Sequence, residues 1–533
     1  MKKINSIIIA FASLALTTTS CNDFLDKLPD DRAEVNTATK IKQLLVSAYP
    51  THSVAFLNEY SSDNVTDNGK TYTYQPNQDK VYRFEQVETT GNDDPKGVWQ
   101  SHYEAVYTAN EALSAIETVG LNEETKPLKA EALLCRAFAI FQLTNTFCMA
   151  YDSTKASEEY FGLPYPKSNN DYITVRGTLE ETYENINNDI EEALPLLDDT
   201  YLSVPAYHFN AKAAYAFAAR FNLYYHRYDK AIKYATKALG NNVSSVLRNV
   251  KSYSSLAGVS DINNAYINSG ETANLLLMTA YSLHGRAMYS SSFRRYAHSR
   301  EITTYETFWA YMPWAPGATG ATDWAKKNGS ANNTLLESHC LYGNNQTVYY
   351  PKYTEHFEYT DKVNGTGYAH TIDAVFTTDE ALLVRAESYI MKKDYTKALV
   401  DLNYWVDAHC ANYGAGVKPE LTTAVVDTFY KSLPDVTNHP ESDIQRGTKK
   451  PLHPQGFTVE SGTQTNLIYL VLQMRRIETW RQGMRFQDVK RWGIEYSHNL
   501  DGEEDLIFKA GDLRGAIQLP IDAINAGLEA NPR

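Results

Sequence analysis

Six aromatic side chains crowd twenty positions of this 533-residue chain: Tyr305, Phe308, Trp309, Tyr311, Trp314 and Trp324. Pro313 and Pro316 flank Trp314, and Gly317 and Gly320 follow, a composition that breaks a helix and favours a turn displaying rings. Flat aromatic faces stack on the C–H faces of pyranose rings, and neighbouring Asn, Asp and Lys can then read the sugar hydroxyls. Such a platform holds a ligand without any catalytic group. Trp309, Trp314, Trp324 and Tyr311 are therefore the first candidates for glycan stacking. Tyr72 and Tyr74 join them, because alternation with threonine puts both rings on one side of an extended segment. The competing reading is that the rings build a second core under the loops.

Signals for reaction chemistry are weak by comparison. A glycosidase needs two carboxylates about 5–10 Å apart across a cleft, and only Asp323 stands beside the aromatic run. No G-x-S-x-G elbow, H-E-x-x-H helix or phosphate-binding loop occurs. His284, His298, His356 and His370 are scattered without metal-ligand spacing, which suggests packing or solvated roles. Cys21, Cys135, Cys148, Cys340 and Cys410 form no C-x-x-C pair, so neither a zinc site nor a structural disulfide is expected. The sequence thus points to no enzyme, no cofactor and no metal.

Composition narrows the ligand class. The chain carries 39 Tyr against 19 Phe and 7 Trp, an excess of rings that also bear a hydroxyl. Its net charge of -14 becomes -16 once the leader lysines Lys2 and Lys3 are set aside. An acidic surface is poorly suited to nucleic acid or anionic lipid, which need clustered cations.

Met1-Lys2-Lys3, the apolar run Ile7 to Leu16 and small residues before Cys21 read as a signal peptide ending at a lipobox-like cleavage site. Acylation at Cys21 is then the only expected membrane attachment, since no later apolar run approaches a bilayer span.

The elements that must carry the rings are helical. Thr178-Leu-Glu-Glu181 is a capping box opening a helix to about Leu197. Ala219, Tyr228, Ala231, Ala235 and Ala238 stand at the offsets of a tetratricopeptide helix pair, and Ala386, Tyr389, Tyr395, Ala398 and Leu402 repeat the pattern far downstream. Between the copies, residues 241–375 are rich in Gly, Asn, Ser and Tyr, as a functional insertion would be. Leu467 to Ile477 is apolar nearly all round and predicts a buried helix ending near Gly483. Beyond it Arg485, Asp488 and Arg491 share one face of a second helix, with Trp492 beside them.

Arg475-Arg476-x-Glu478 followed by Gly483-x-Arg485-x-x-Asp488-x-x-Arg491-Trp492 resembles the C-terminal signature of the SusD/RagB family of surface glycan-binding lipoproteins. The family usually has Glu where this chain has Met474 and Gln482. The segments Ala132 to Phe138, Gly162 to Pro166, Ile517 to Ile524 and Asn531-Pro532 resemble further family motifs. The resemblance implies a mostly α fold: discontinuous tetratricopeptide-like helix pairs form a scaffold, with a large loop-rich insertion and few short strands. It implies a signal peptide (1–20), an N-terminal helical region (21–240), a ligand-face insertion (241–375) and a C-terminal region (376–533). It also implies a lipid-anchored binder on the outer membrane that hands glycan to a SusC-like TonB-dependent barrel. A peptide-binding relative and a surface glycan hydrolase are the alternatives.

Overall fold

The computed structural model describes residues 35–171, 175–256, 258–289, 294–314, 341–342, 347–410, 420–436 and 446–533. The N-terminal part is built on helices α1 (Ala38–Leu45), α2 (Ala55–Tyr60), α3 (Pro76–Tyr82), α4 (Pro95–Val119), α5 (Lys126–Phe147) and α6 (Leu179–Ala193). Helix α5 is apolar or small on almost every side and is sheathed by α4 and α6. Thr178 caps α6: its hydroxyl accepts the Glu181 amide while the Glu181 carboxylate accepts the Thr178 amide.

The two tetratricopeptide-like copies are α7 (Ala211–Tyr224) with α8 (Tyr228–Leu239), and α9 (Thr378–Met391) with α10 (Tyr395–His409). Each pair turns in the same way. His226 and Lys393 adopt left-handed backbone, φ 57° and 62°, two residues before Tyr228 and Tyr395. The next amide then reaches back to the preceding helix, Arg227 to the Asn222 carbonyl and Asp394 to the Tyr389 carbonyl. Alanines fully buried along α7, α8 and α9 let the backbones approach, and α8 packs directly on α9. Residues far apart in the chain thereby form one continuous stack.

The insertion holds more strand than its composition suggests. Strands β1 (Thr66–Asp67) and β3 (Tyr296–Ala297) pair antiparallel, and β2 (Asn274–Tyr281), β5 (Thr366–Thr377) and β4 (His356–Asp361) form a sheet in the order β2-β5-β4. Strand β5 runs straight into α9, whose first turn is capped by the Thr377 hydroxyl.

Helices α11 (Thr423–Ser432), α12 (Thr463–Glu478) and α13 (Met484–Trp492) close the fold. Gly483 precedes α13 at φ 71° instead of ending α12, and an added Cβ would lie 2.8 Å from Asn58 Cβ. The turn from Thr479 to Gln482 intervenes because the buried Glu59 carboxylate gathers the Arg481 and Gly483 amides.

Adjacent arginines of α12 point into two different ion networks. Arg475 pairs with Asp488 (3.0 Å) and Glu380 (3.4 Å), while Arg491 pairs with Asp488 (2.7 Å) and Glu387 (2.9 Å). Arg220 of α7 reaches the same Glu380, so four helices share one buried cluster. Arg476 turns the other way to Glu306 (2.9 Å), and Arg485 grips Asp63 through two hydrogen bonds of 2.7 and 2.8 Å. Lys450 bridges Asp63 and Glu306, each at 2.7 Å.

Asp63 faces Arg476, Arg485 and Lys450 at once; Glu306 still pairs with Arg476 and Lys450, so Asp63→Asn strands the buried Arg485 and leaves the other two cations to share one carboxylate. A loss of about 3–5 kcal/mol is expected in urea unfolding. Burial alone raises a carboxyl pKa, but Lys450, Arg476 and Arg446 outweigh it at Glu306, and Lys352, His409 and Arg248 at Glu478, bringing both to about 2. Unfolded glutamates titrate near about 4.3. This stabilisation is therefore complete above that pH and is lost as pH falls toward 2. The expected urea midpoint drops between about pH 4.5 and 2, and replacing either glutamate by Gln flattens that limb.

Candidate functional site

Of the rings singled out by sequence, Tyr74 is presented to solvent on the firmest base. A turn follows β1: Asp67 Oδ1 accepts the Gly69 amide at 2.8 Å, and the Tyr72 amide returns to the Gly69 carbonyl at 3.2 Å. Strand β3 then clamps the segment from the side. The Asn68 amide donates to the Arg295 carbonyl, and the Arg295 amide donates to the Thr73 carbonyl. The Arg295 guanidinium holds Asp67 with two 3.0 Å hydrogen bonds and lies 5.0 Å from the Tyr74 ring centre and 4.9 Å from that of Tyr296. Tyr296 meets Tyr74 edge-on at 5.8 Å and packs on Tyr82 at 4.7 Å. Tyr74 is 40% exposed, its hydroxyl makes no hydrogen bond among the described residues, and Tyr72 beside it is half-buried. Lys70 and Thr71 form a turn and Thr73 and Tyr74 are irregular chain, not the extended strand that alternation with threonine suggested.

Polar groups border this ring. Lys70 is exposed, its amide held by Asp501, and Asn68 is half-exposed. The nearby carboxylates are already engaged: Asp67 with Arg295, and Asp79 and Glu503 with Arg83.

The tryptophan cluster is placed otherwise than its composition suggested. Trp309 and Trp314 are 5% and 2% exposed. They belong to the core formed with α9, α10 and α12, where Trp314 lies 5.6 Å from Trp405. Tyr311 is half-buried against Phe429, and Phe308 stacks on Tyr350 at 3.6 Å. The rings fasten the insertion to the helices because their apolar area is worth more against Trp405 and Trp480 than in water. Only Tyr305 of the described rings in this run is exposed. Trp324, Asp323 and Cys21 lie outside the described residues.

Sequence reasoning missed a further set of open rings. Phe357, Tyr359 and Tyr368, on the hairpin of β4 and β5, are 38–55% exposed. The alternation His356-Phe357-Glu358-Tyr359 was the available signal.

The fold has counterparts among known proteins. Residues 23–223 match the SusD-like family described as starch-binding, associating with outer membrane. Over 93% of this chain and 100% of the other, the structure resembles a SusD superfamily protein from Bacteroides thetaiotaomicron, with TM-score 0.60 at 17% identity. The chain has a SusD-like fold. A SusD-like protein from Bacteroides fragilis aligns over 94% of this chain and 98% of the other, with TM-score 0.57 at 17% identity. A SusD-like carbohydrate binding protein from Bacteroides vulgatus aligns over 89% of each chain, with TM-score 0.56 at 15% identity. Among curated proteins, none matches this sequence.

The C-terminal residues singled out by sequence are braces, not a ligand clamp. Glu478, Gly483, Arg485, Asp488, Arg491 and Trp492 are all buried. Trp492 Nε1 donates to Glu387 at 3.3 Å, and Arg485 belongs to Asp63 instead of Asp488. Among the described residues, Asp379, His409 and Glu478 bring three metal-ligating groups within 4.8 Å. Their carboxylates already accept from the Arg248 amide, Trp405 Nε1 and Lys352, so the group reads as a buried ion cluster. No described helix is long and apolar enough to cross a membrane.

Because Trp314 sits in this core, Trp314→Ala is expected to cost about 3–5 kcal/mol and lower the melting temperature sharply. Differential scanning calorimetry checks it; an unchanged melting curve would return Trp314 to the surface.

Proposed function

We propose that this chain is a non-catalytic surface lipoprotein, acylated at Cys21, that binds glycan and delivers it to a SusC-like TonB-dependent barrel in the outer membrane. The observation that carries the reading is the exposed Tyr74 ring on its rigid base of Asp67, Arg295 and Tyr296. A ring held this firmly loses little conformational freedom when a flat sugar face settles on it. Tyr72, Asn68 and Lys70 extend the same face with groups suited to hydroxyls.

The family description as starch-binding, and the carbohydrate-binding relative from Bacteroides vulgatus, support the ligand class. The acidic balance of the chain also disfavours anionic polymers. Pairing of Asp67, Asp79 and Glu503 with arginine supports a holding role, because a carboxylate locked by a guanidinium is a poor proton donor or nucleophile. Under this reading the leader 1–20 is removed, and the ligand face draws on both the N-terminal region 21–240 and the insertion 241–375. Acyl chains at Cys21 would keep the binder at high local concentration beside its barrel.

Affinity electrophoresis against a panel of polysaccharides, with oligopeptides in parallel, tests the proposal. Retention by at least one polysaccharide and none by peptides is expected. Tyr74→Ala is expected to abolish or strongly reduce retention while shifting the melting temperature by no more than a few degrees, as suits an exposed ring. Peptide retention alone would replace glycan by peptide, and release of sugar products would make the chain a hydrolase.

A further inference from the structure

We propose that His356 and His370 form a surface site for a divalent transition-metal ion that favours imidazole ligands: Zn2+, Cu2+ or Ni2+. The two residues face each other directly across the antiparallel pairing of β4 and β5. Their rings lie nearly parallel, 27° apart in orientation, with centres separated by 5.7 Å. Metal–nitrogen bonds of about 2.0–2.1 Å place each imidazole centre roughly 3.2 Å from the ion, so two ligating rings have centres roughly 5–6 Å apart. The observed pair already has that spacing.

The surroundings prepare the ligands. His356 Nε2 lies 3.0 Å from Asn263 Oδ1, which also accepts the Thr354 hydroxyl at 2.7 Å. The amide orientation is fixed because Asn263 Nδ2 donates to the Lys352 carbonyl. Oδ1 can only accept, so the proton of neutral His356 sits on Nε2 and the lone pair on Nδ1. Metal-binding histidines are oriented by this kind of second contact. His370 Nδ1 is buried without a hydrogen-bond partner, an arrangement that costs free energy until something occupies it.

Both residues are partly exposed, but His370 Nδ1 itself is sealed from solvent, so its ring must turn outward to meet an ion, whose coordination water can then complete. Tyr281 stands opposite His370 on the other side of β5. Glu358, two residues beyond His356, shares the face and adds negative potential. With two protein ligands the site is exchangeable, not one that folding depends on.

Calorimetric titration of ZnCl2, NiCl2 and CuCl2 into the full chain, free of any polyhistidine tag, tests the proposal beside His356→Ala, His370→Ala and His52→Ala. The expected result is one ion per chain in the wild type and in His52→Ala, with affinity reduced roughly tenfold or more in each variant of the pair. Melting curves without metal confirm that each variant folds. Should one fail to fold, the electron paramagnetic resonance spectrum of the Cu2+-loaded wild type decides, with splitting from two imidazole nitrogens expected. Absence of saturable binding, undiminished affinity in either pair variant, or a spectrum with fewer than two nitrogens overturns the proposal.

Discussion

The structure depends on one constraint: Arg475 and Arg476 are consecutive, buried and charged, and each must find carboxylates on opposite sides of α12. A buried ion pair is expensive to desolvate and is weak evidence of stability by itself. Its consequence here is geometric. Arg475 can be satisfied only if α7, α9 and α13 deliver Tyr224, Glu380 and Asp488 to one point. Arg476 requires Asp63, Asn64 and Glu306, which arrive from the N-terminal region and the insertion. Three stretches that are remote in sequence are thus assembled together or not at all.

That constraint is also what makes the Tyr74 base rigid. Asp63 and Asn64, which answer Arg476, lie just before β1, and Asp67 within β1 answers Arg295. The Asn499 side chain ties Thr66 and Asp67 to the segment after α13. Buried charge at the centre is therefore connected through a few residues of chain to an exposed ring at the edge. A loop without such anchors would lose more freedom on meeting a ligand, and its affinity would fall accordingly.

Much of the scaffold was legible because it is periodic. Ala219, Tyr228, Ala386 and Tyr395 reveal both helix pairs through spacing alone. The left-handed turns at His226 and Lys393 were not legible, since neither residue is a glycine and the conformation is imposed by the docking of the following helix. Trp309 and Trp314 misled because proline and glycine mark a turn, and a turn can face inward when a deep apolar groove awaits it. Tyr74 was singled out through alternation, although the segment is held by side contacts from Arg294 and Arg295 and is not a strand. His356 and His370 read as scattered in sequence because only strand register brings them together, and register follows from the intervening turn and the packing of β2.

The burial of Trp309 and Trp314 alters how a ring-rich chain should be read. In an insertion that cannot make a helical core of its own, the largest rings are the ones the scaffold can grip, because each removes the most apolar area from water. Among the described residues the rings left outside are mostly tyrosines, such as Tyr74, Tyr305, Tyr359 and Tyr368, whose hydroxyls lower the cost of exposure; Phe357 is the exception in this region. Many tyrosines are buried as well, Tyr60, Tyr82, Tyr183 and Tyr430 among them, so the excess of 39 Tyr over 7 Trp serves core and surface alike. An exposed tyrosine also offers an oxygen beside its ring face, so the ring and the hydroxyl of Tyr74 are available together to one flat polar ligand.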